Sequence, residues 1–381
     1  MKHFDEFHAE ELHEHRIKKI RTLEVRNRYT RLNGKNSVRG EHGYGDTFLV
    51  KEITTDKGTA GWGYCLGRPA AGQDADRALL GRTVAELFDP AVGIRDSRLK
   101  EYDFALHDLA GRIMGVSVAW MIGHGGQNPV PCYDGAILID DLSPDQKPEG
   151  IRQILKECQD DYALGFRDFK LKIGRGLNWM EKNQGIERDI QVTKLVREYF
   201  PESRIMVDIN SAYTVDEVKR YVDGAAGCNL YWIEEPFEEN LEDDRELKAY
   251  LMEKCPRTMI ADGEAHPDLE LLLRLAEAGA LDVLQMDIAG FGFTEWRKIL
   301  PMLREKKIKI SPHNWGWGVK TNYTAALAAA YPYVPSIEGI VDTTEGVDTS
   351  GYELVNGKLT VPDLPGFGME LYFGMEVDSV E

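Results

Sequence analysis

Eight short apolar runs recur between about Pro129 and Val341, and this repeat is the feature that most restricts how the chain can fold. The runs begin roughly 25 to 38 residues apart, and charged segments with helical periodicity separate most of them. Strands and helices that alternate at this spacing form parallel βα units, and eight such units predict a (β/α)8 barrel of the TIM type. The runs are VPCYDGAILI, FRDFKLKIG, SRIMVDIN, NLYWIEEPF, RTMIADGE, DVLQMDIAG, KIKISPHNW and VPSIEGIV.

The first third of the chain lacks this repeat. Residues 20–65 read as a meander of antiparallel strands with a turn at Asp56-Lys57-Gly58, and residues 75–125 read as helices, the second capped by Gly115. We therefore expect an α/β protein with an α+β N-terminal capping domain, residues 1–128, completed by the tail 360–381. The barrel would occupy residues 129–359.

Charge and composition restrict the partners. The net charge of −18 argues against nucleic acid and anionic membranes as partners, and no stretch approaches ~18 consecutive apolar residues. The N-terminus is polar and does not read as a signal peptide. Five scattered cysteines, an odd number without a CxxC pair, fit a reducing cytosol. We expect a cytoplasmic protein that acts on a small molecule.

In a barrel of this type, chemistry is located at the C-terminal ends of the strands. Here the runs end in ionisable or amide side chains, which are costly to bury unless they meet around something. In chain order these residues are Lys170, Lys172, Asp208, Asn210, Glu234, Glu235, Asp262, Glu264, Asp287, His313 and Glu338.

Three carboxylates on consecutive strands, Asp208, Glu234 and Glu264, should converge. Three like charges at close range cannot all stay ionised without a cation, and an all-oxygen site suits Mg²⁺. Two doublets leave alternatives open. Glu234 and Glu235 are adjacent and face opposite sides, so only one should enter the site, and Asp262 shares a face with Glu264, so either could reach the metal.

Candidate acid/base groups flank the carboxylates. Lys170 and Lys172 are two residues apart on one strand and share a face, and a second cation can lower the pKa of a lysine. His313 and Asp287 end neighbouring strands, where a carboxylate can orient an imidazole and raise its basicity. Glu338, on the eighth strand, could donate a proton to substrate oxygen. A metal between two bases suits abstraction of a proton α to a carboxylate.

The pattern resembles the enolase superfamily, in its mandelate racemase subgroup, over nearly the whole chain. The resemblance rests on the KxK pair in FKLKIG, the IEEP motif, the His–Asp dyad, the strand-eight glutamate and the helix ALHDLAGRIMGVSVAWMIG before the barrel. It implies one Mg²⁺ bound by Asp208, Glu234 and Glu264. Asp262 in ADGE is a departure, because it matches a ligand position favoured in a different subgroup.

The same resemblance implies roles for the other residues. Lys172 is one acid/base and His313, with Asp287, is the opposing one. Lys170 and Glu338 hold the substrate carboxylate, Lys170 also lowering the pKa of Lys172, and Asn210 contacts substrate. The implied reaction is dehydration of a sugar acid to a 2-keto-3-deoxy acid by a hydro-lyase, with racemisation or epimerisation by an isomerase as the alternative, in a homo-oligomer.

Substrate specificity is expected from the cap. Residues Asn27–Tyr44 form a long, glycine-rich and locally basic segment, which we expect to close over the barrel and to bring Arg31 to a polar or anionic end of the substrate. Trp315, just past His313, is expected to wall the pocket. Two hypotheses from other classes are a Schiff-base aldolase, which needs only a strand-end lysine, and a non-catalytic sugar-acid binding protein.

Overall fold

The structure, a computed structural model, describes residues 8–66, 72–123, 125–143, 145 and 147–381. Its N-terminal part contains an antiparallel sheet followed by helices, with 3-10 helices at Ala9–His13 and Ser97–Tyr102. The elements are β1 (Ile17–Asn33), β2 (Gly43–Thr55), β3 (Ala60–Tyr64), α1 (Gly72–Arg77), α2 (Val84–Leu87), β4 (Phe88–Asp89), β5 (Gly93–Ile94), α3 (Asp103–Met114) and α4 (Val118–Ile122).

The antiparallel meander forms where the sequence predicts it. Strands β1, β2 and β3 pair in chain order, and the β2–β3 turn is closed by the Gly58 N–H donating to Thr55 O at 3.0 Å. Helix α3 lies directly on β3, because a Cβ at Gly61 would come within 2.3 Å of the Leu109 nitrogen. Gly115, at φ +68°, ends α3 in the left-handed conformation that favours glycine.

The predicted barrel is confirmed, and each of the eight apolar runs contains one of its strands. Neighbouring strands are parallel, the last pairs with the first, and the gap between the last two is bridged by Ile310 N donating to Tyr333 O at 3.0 Å. In chain order the elements are β6 (Val130–Ile137), α5 (Ile151–Ala163), β7 (Phe169–Lys172), α6 (Lys182–Tyr199), β8 (Ile205–Asp208), α7 (Val215–Gly224), β9 (Trp232–Glu234), α8 (Leu241–Lys254), β10 (Met259–Asp262), α9 (Leu269–Glu277), β11 (Val283–Leu284), α10 (Phe293–Lys306), β12 (Lys309–Ile310), α11 (Gly318–Ala330) and β13 (Ile337–Gly339).

Local sequence explains where several barrel helices begin. Thr214 and Glu217 form a capping box at the start of α7, each side chain bonding the other's backbone N–H. Asn240 and Asp268 accept from backbone N–H groups at the starts of α8 and α9. These caps turn the chain sharply after each strand, so the loops that follow the strands stay at one end of the barrel.

After β13 the chain returns to the first sheet. Within residues 340–381 the structure has strands and no helix: β14 (Asp342–Thr344), β15 (Val347–Asp348), β16 (Glu353–Val355), β17 (Lys358–Thr360), β18 (Glu370–Leu371) and β19 (Met375–Val380). Strand β19, in the predicted tail, pairs with β1, and so does β14, which lies inside the range assigned to the barrel. The chain beyond the barrel therefore adds two strands, β14 and β19, to the sheet of the cap.

Among the described residues, every helix is too short or too polar to cross a membrane.

Candidate active site

Strand register brings the acidic and basic strand ends together. Lys172 lies beside Asp208, and Asp208 lies beside Glu234, in the ladders that join β7, β8 and β9. One pleat below, Lys170 is level with Met206 and Trp232 in the same ladders. Because alternate residues of a strand share a face, all of these side chains point into the barrel. The upper level is thus polar, and the floor below it is apolar except for Lys170.

Three carboxylates converge above this floor. One oxygen each from Asp208, Glu234 and Glu264 lies within 4.8 Å of the other two. The Glu234 carboxylate is held by the Trp232 indole N–H at 3.1 Å and by the Gln285 amide at 2.8 Å. Burial raises the pKa of Glu234 to about 8, Lys170 opposing this and Asp208 adding to it.

The alternation of side chains along β10 favours Glu264 over Asp262 at the carboxylate cluster. Ala261 is level with Glu234 and packs in the barrel interior, so the next residue, Asp262, points outward. Burial raises the pKa of Asp262 well above its usual range, and Glu235 and Glu239 raise it further. Glu264, beyond the end of the strand, returns to the cluster. The expectation that Asp262 shares a face with Glu264 fails because the chain leaves the strand at Gly263.

The expectation that only one of Glu234 and Glu235 enters the site needs correction. Glu235 has φ +42°, which breaks the strand alternation, and its carboxylate accepts from the Asn210 amide at 2.9 Å. Burial raises its pKa to about 7, and Glu264 and Asp208 add to the increase. A fourth carboxyl group therefore borders the cluster.

The two lysines are buried among these acids. Lys170 contacts Glu234 at 2.5 Å and Glu338 at 2.8 Å, and Lys172 contacts Asp208. Burial and Lys170 lower the pKa of Lys172, but Asp208, Glu264 and Glu234 raise it by more, so the net change is upward. The protein groups alone therefore do not produce the expected decrease in the pKa of Lys172, because the carboxylates outnumber the lysines.

The His–Asp dyad lies on the other side of the cluster. His313 Nδ1 is 2.9 Å from Asp287 Oδ2, and His313 Nε2 is 3.2 Å from Glu264. Burial lowers the pKa of His313, but Glu264, Asp287 and Glu338 raise it to about 9. Glu338 accepts from the Asn314 N–H at 3.0 Å, which holds it between the dyad and Lys170. The imidazole therefore presents Nε2 to the carboxylates.

The cap covers this end of the barrel. Loop residues 34–42 dock through Ile139 N donating to Lys35 O at 2.8 Å and Trp179 Nε1 donating to Asn36 O at 2.6 Å. Trp315 packs edge-on against His42, with ring centroids 4.4 Å apart, and its buried indole N–H has no partner. These contacts place Trp315 against the cap loop, and its role as a pocket wall stays a prediction.

Two further atoms are free to meet a ligand. Asn210 Oδ1 and Glu264 Oε2 are buried without a hydrogen-bond partner. Asn210 is held at φ +47° with its amide nitrogen on Glu235, so that its oxygen is left unbonded. Buried polar atoms without partners are uncommon, and at a polar cluster they indicate a place for a ligand.

Arg31 does not reach this site, which corrects the sequence-based expectation. Its terminal nitrogens bind both carboxylate oxygens of Asp161 on α5, at 2.7 and 2.6 Å, and the Ala136 carbonyl. Gly135 faces Glu338 in the barrel interior, so Ala136 and Arg31 lie on the outer side of β6. Arg31 therefore joins the cap to α5.

Arg31→Met is expected to lower the free energy of unfolding by roughly 3 kcal/mol, because it leaves the buried Asp161 carboxylate without its cation. Arg28→Met is the matched control. Arg28 pairs with Glu345 at the surface, and losing that pair should cost about 0–1 kcal/mol. Urea denaturation measures both. A large increase in Michaelis constant with unchanged stability for Arg31→Met would restore the substrate-binding role.

Sequence reasoning missed three residues at or beside the site: Gln285, His42 and Lys320. Gln285 was detectable, because it lies two positions before Asp287 and shares its face. Sequence reasoning did name Glu235, but its place beside Glu234 depends on a backbone conformation that the sequence does not reveal. His42 and Lys320 reach the site through the docking of the cap and of α11, and no local pattern indicates that.

The carboxylate cluster fits a hard divalent cation. Its donors are all oxygens, as Mg²⁺ prefers, and Glu264 brings an oxygen without any other partner. The excess of acids over lysines also favours a cation there. Asp208, Glu234 and Glu264 are the residues that would hold it.

Comparisons with known proteins agree with this geometry. Residues 153–374 match the family described as "Enolase C-terminal domain-like". The D-galactarolactone cycloisomerase of Agrobacterium fabrum is 31% identical, covering 85% of this chain and 88% of that protein. A galacturonate dehydratase structure from a Geobacillus species has a TM-score of 0.87 at 30% identity, covering 94% of this chain and 95% of the other. A mandelate racemase/muconate lactonizing protein from Geobacillus sp. Y412MC10, solved with magnesium and tartrate, has a TM-score of 0.88 at 30% identity, covering 94% and 93%.

Proposed function

The chain belongs to the enolase superfamily, and we propose that it is a Mg²⁺-dependent hydro-lyase that converts a sugar acid into a 2-keto-3-deoxy acid. One observation carries the proposal: Lys172 and His313, from separate strands, both border a cluster of three carboxylates suited to a divalent cation. The sugar-acid dehydratases among similar proteins support the substrate class.

In the proposed reaction, Lys172 Nζ takes the proton from the carbon next to the substrate carboxylate. The electron pair of that C–H bond moves towards the carboxylate and gives an enolate, and it then forms a double bond to the β-carbon as the β-carbon–oxygen bond breaks. His313 Nε2 gives its proton to the leaving oxygen, which departs as water, and the resulting enol rearranges to the 2-keto acid. Both residues are within contact distance of the same acidic cluster, so a small substrate can meet both.

The remaining residues bind and orient. Mg²⁺ bound by Asp208, Glu234 and Glu264 would supply positive charge that favours the carboxylate substrate and the negative charge that develops on it. Lys170 would hold the substrate carboxylate, and the free Asn210 oxygen would accept from a substrate hydroxyl. Glu338, which contacts Lys170 at 2.8 Å, would bond the substrate carboxylate only in its protonated form, and although burial raises the pKa of Glu338, Lys170 and His313 lower it overall, against the expected proton-donor role. The docked cap loop and Trp315 would exclude water.

A screen of sugar acids with Mg²⁺, detecting 2-keto acid, tests the proposal. We expect at least one acid to be consumed, with one solvent deuteron incorporated per turnover in D₂O and a product lighter than substrate by one water. Robust α-proton exchange by metal-free enzyme, or no turnover and no exchange with any acid, would refute it.

A cycloisomerase is the second candidate, favoured by the 31% identity to the D-galactarolactone cycloisomerase. If the β-oxygen of the substrate belongs to a ring, the same proton abstraction opens the ring and nothing departs. Product mass separates the two reactions, because an isomer keeps the mass of its substrate. Racemisation also keeps the mass but forms no keto group, so carbonyl detection separates it from ring opening.

The Schiff-base hypothesis predicts a lysine that borohydride traps with substrate. Lys170 contacts the carboxylates of Glu234 and Glu338, which favours its charged and non-nucleophilic form, and the proposed reaction uses Lys172 as a base. We expect no trapping. We place the enzyme in the cytoplasm, where the five cysteines, all free, would stay reduced. Assembly as a homo-oligomer stays a prediction.

A further inference from the structure

Lys320 is buried beside the His–Asp dyad. Its Nζ lies 2.8 Å from Asp287 Oδ2, the oxygen that also bonds His313 Nδ1 at 2.9 Å. The same ammonium donates to the Trp315 carbonyl at 3.3 Å, and only 8% of the residue is exposed. The dyad is therefore a chain of three side chains, and its third member comes from α11.

A lysine at this position is costly. It is the third residue of α11, where the helix dipole disfavours positive charge, and burial disfavours the charged form further. Asp287 compensates for both effects. Burial raises the pKa of Asp287, but Lys320 and His313 outweigh this and hold it well below its usual range, so the carboxylate is ionised. A neutral side chain would fill the same space at lower cost, which suggests that the charge has a use.

Lys320 completes the immobilisation of Asp287. The other carboxylate oxygen, Oδ1, accepts from the backbone N–H groups of Ala289 at 2.9 Å and Gly290 at 2.6 Å. With Lys320 and His313 on Oδ2, both oxygens have two donors, and rotation of the carboxylate would break several bonds at once. Without Lys320, Oδ2 would depend on His313 alone.

We propose that Lys320 is a positioning residue that fixes Asp287, and through it His313, for proton delivery to the leaving oxygen. The inference rests on the proposed function, because it assigns Lys320 to the elimination half of that reaction. Lys172 has no contact with Lys320 or Asp287 among the described ion pairs, so α-proton abstraction should be independent of Lys320.

The test compares Lys320→Met with Lys320→Arg, using Mg²⁺-loaded enzyme in D₂O and a sugar acid from the screen. Two rates are measured: formation of 2-keto acid, and deuterium incorporation at the α-carbon of recovered substrate. Displacing a catalytic group by about 1 Å can cost roughly 10²-fold, so Lys320→Met should lose 10- to 100-fold in kcat with little change in KM. Deuterium incorporation at the α-carbon of recovered substrate should persist, and the ratio of its rate to the rate of 2-keto acid formation should increase. Lys320→Arg should restore much of the elimination rate.

Lys298→Met is the control, because Lys298 pairs with Glu295 at the surface of α10. It should change neither rate. Equal losses of exchange and elimination in Lys320→Met, or no loss in either, would overturn the proposal, since the first is a general structural defect and the second is no role.

A second measurement does not depend on turnover. ¹⁵N spectra of the histidine side chains should show His313 with Nδ1 bonded to Asp287 in the wild type and a mixture of ring states in Lys320→Met. An unchanged His313 signal in that variant overturns the inference even if no substrate is found. A wild type that turns over no sugar acid, but whose His313 signal responds to Lys320→Met, rejects the proposed function alone.

Discussion

Lys172→Ala is expected to lower turnover by roughly 10² to 10⁴-fold and to abolish exchange of the substrate α-proton. Lys172 is the cation nearest Asp208 at the upper level of the barrel, and only 4% of it is exposed. No bulk water can replace a base at so enclosed a position. Exchange is the decisive measurement, because it reports proton abstraction even when elimination is slow. Lys320→Met should have the opposite pattern, with exchange kept and elimination lost.

Lys182→Ala is the control for Lys172→Ala. Lys182 begins α6 and donates to the Ala212 carbonyl, and it is partly exposed, so its loss should leave both rates within a small factor. A small primary amine added to Lys172→Ala should restore part of the exchange, which a folding defect would not allow. Full exchange in Lys172→Ala without added amine would assign the base elsewhere, His313 being the first alternative.

The barrel was predictable because its signal is redundant. The strands, of two to eight residues, are buried over most of their length on both sides, so they appear as apolar runs whatever the details of their neighbours. The repetition then removes the helix/strand ambiguity that a single run would leave. The boundary between cap and barrel was less predictable, because β14 pairs with β1 through contacts distant in sequence.

The candidate site was predictable only where side chains alternate regularly between the two faces of a strand. Lys172, Asp208 and Glu234 lie inside regular ladders, so their common orientation follows from the sequence. Glu235 and Glu264 lie at or beyond strand ends, where one residue with positive φ or one glycine reverses the direction of a side chain. Side-chain directions therefore cannot be predicted from strand alternation where functional residues lie on loops.

Arg31 and Lys320 illustrate the other limit. Local basicity suggested that Arg31 meets the substrate, but a buried carboxylate on α5, which no local pattern pairs with it, binds it instead. No pattern in the sequence indicates a role for Lys320, and the structure buries it against Asp287. In both cases the decisive partner lies on another element, and packing, not composition, selects it.

Glu264→Gln is expected to weaken Mg²⁺ binding by at least about 10²-fold, since losing even a residue that only supports a metal ligand can cost 10- to 100-fold. The neutral amide keeps the shape of the side chain but removes the charge from an oxygen that has no other partner. Thermal unfolding with and without Mg²⁺ measures this without substrate. A metal present at 100 times its Kd stabilises the folded state by about 2.7 kcal/mol, and this increment should fall to about 0.4 kcal/mol or less in Glu264→Gln at the same concentration.

Asp262→Asn is the matched control, and it decides between the two acids of ADGE. Asp262 faces outward, and burial, with Glu235 and Glu239 nearby, raises its pKa well above the usual range, so an uncharged amide of the same shape is a mild change at this position. We therefore expect Asp262→Asn to keep the Mg²⁺-dependent stabilisation and most of the turnover. If Asp262→Asn loses both and Glu264→Gln loses neither, Asp262 is the third ligand, and the end of β10 must rearrange when the metal binds.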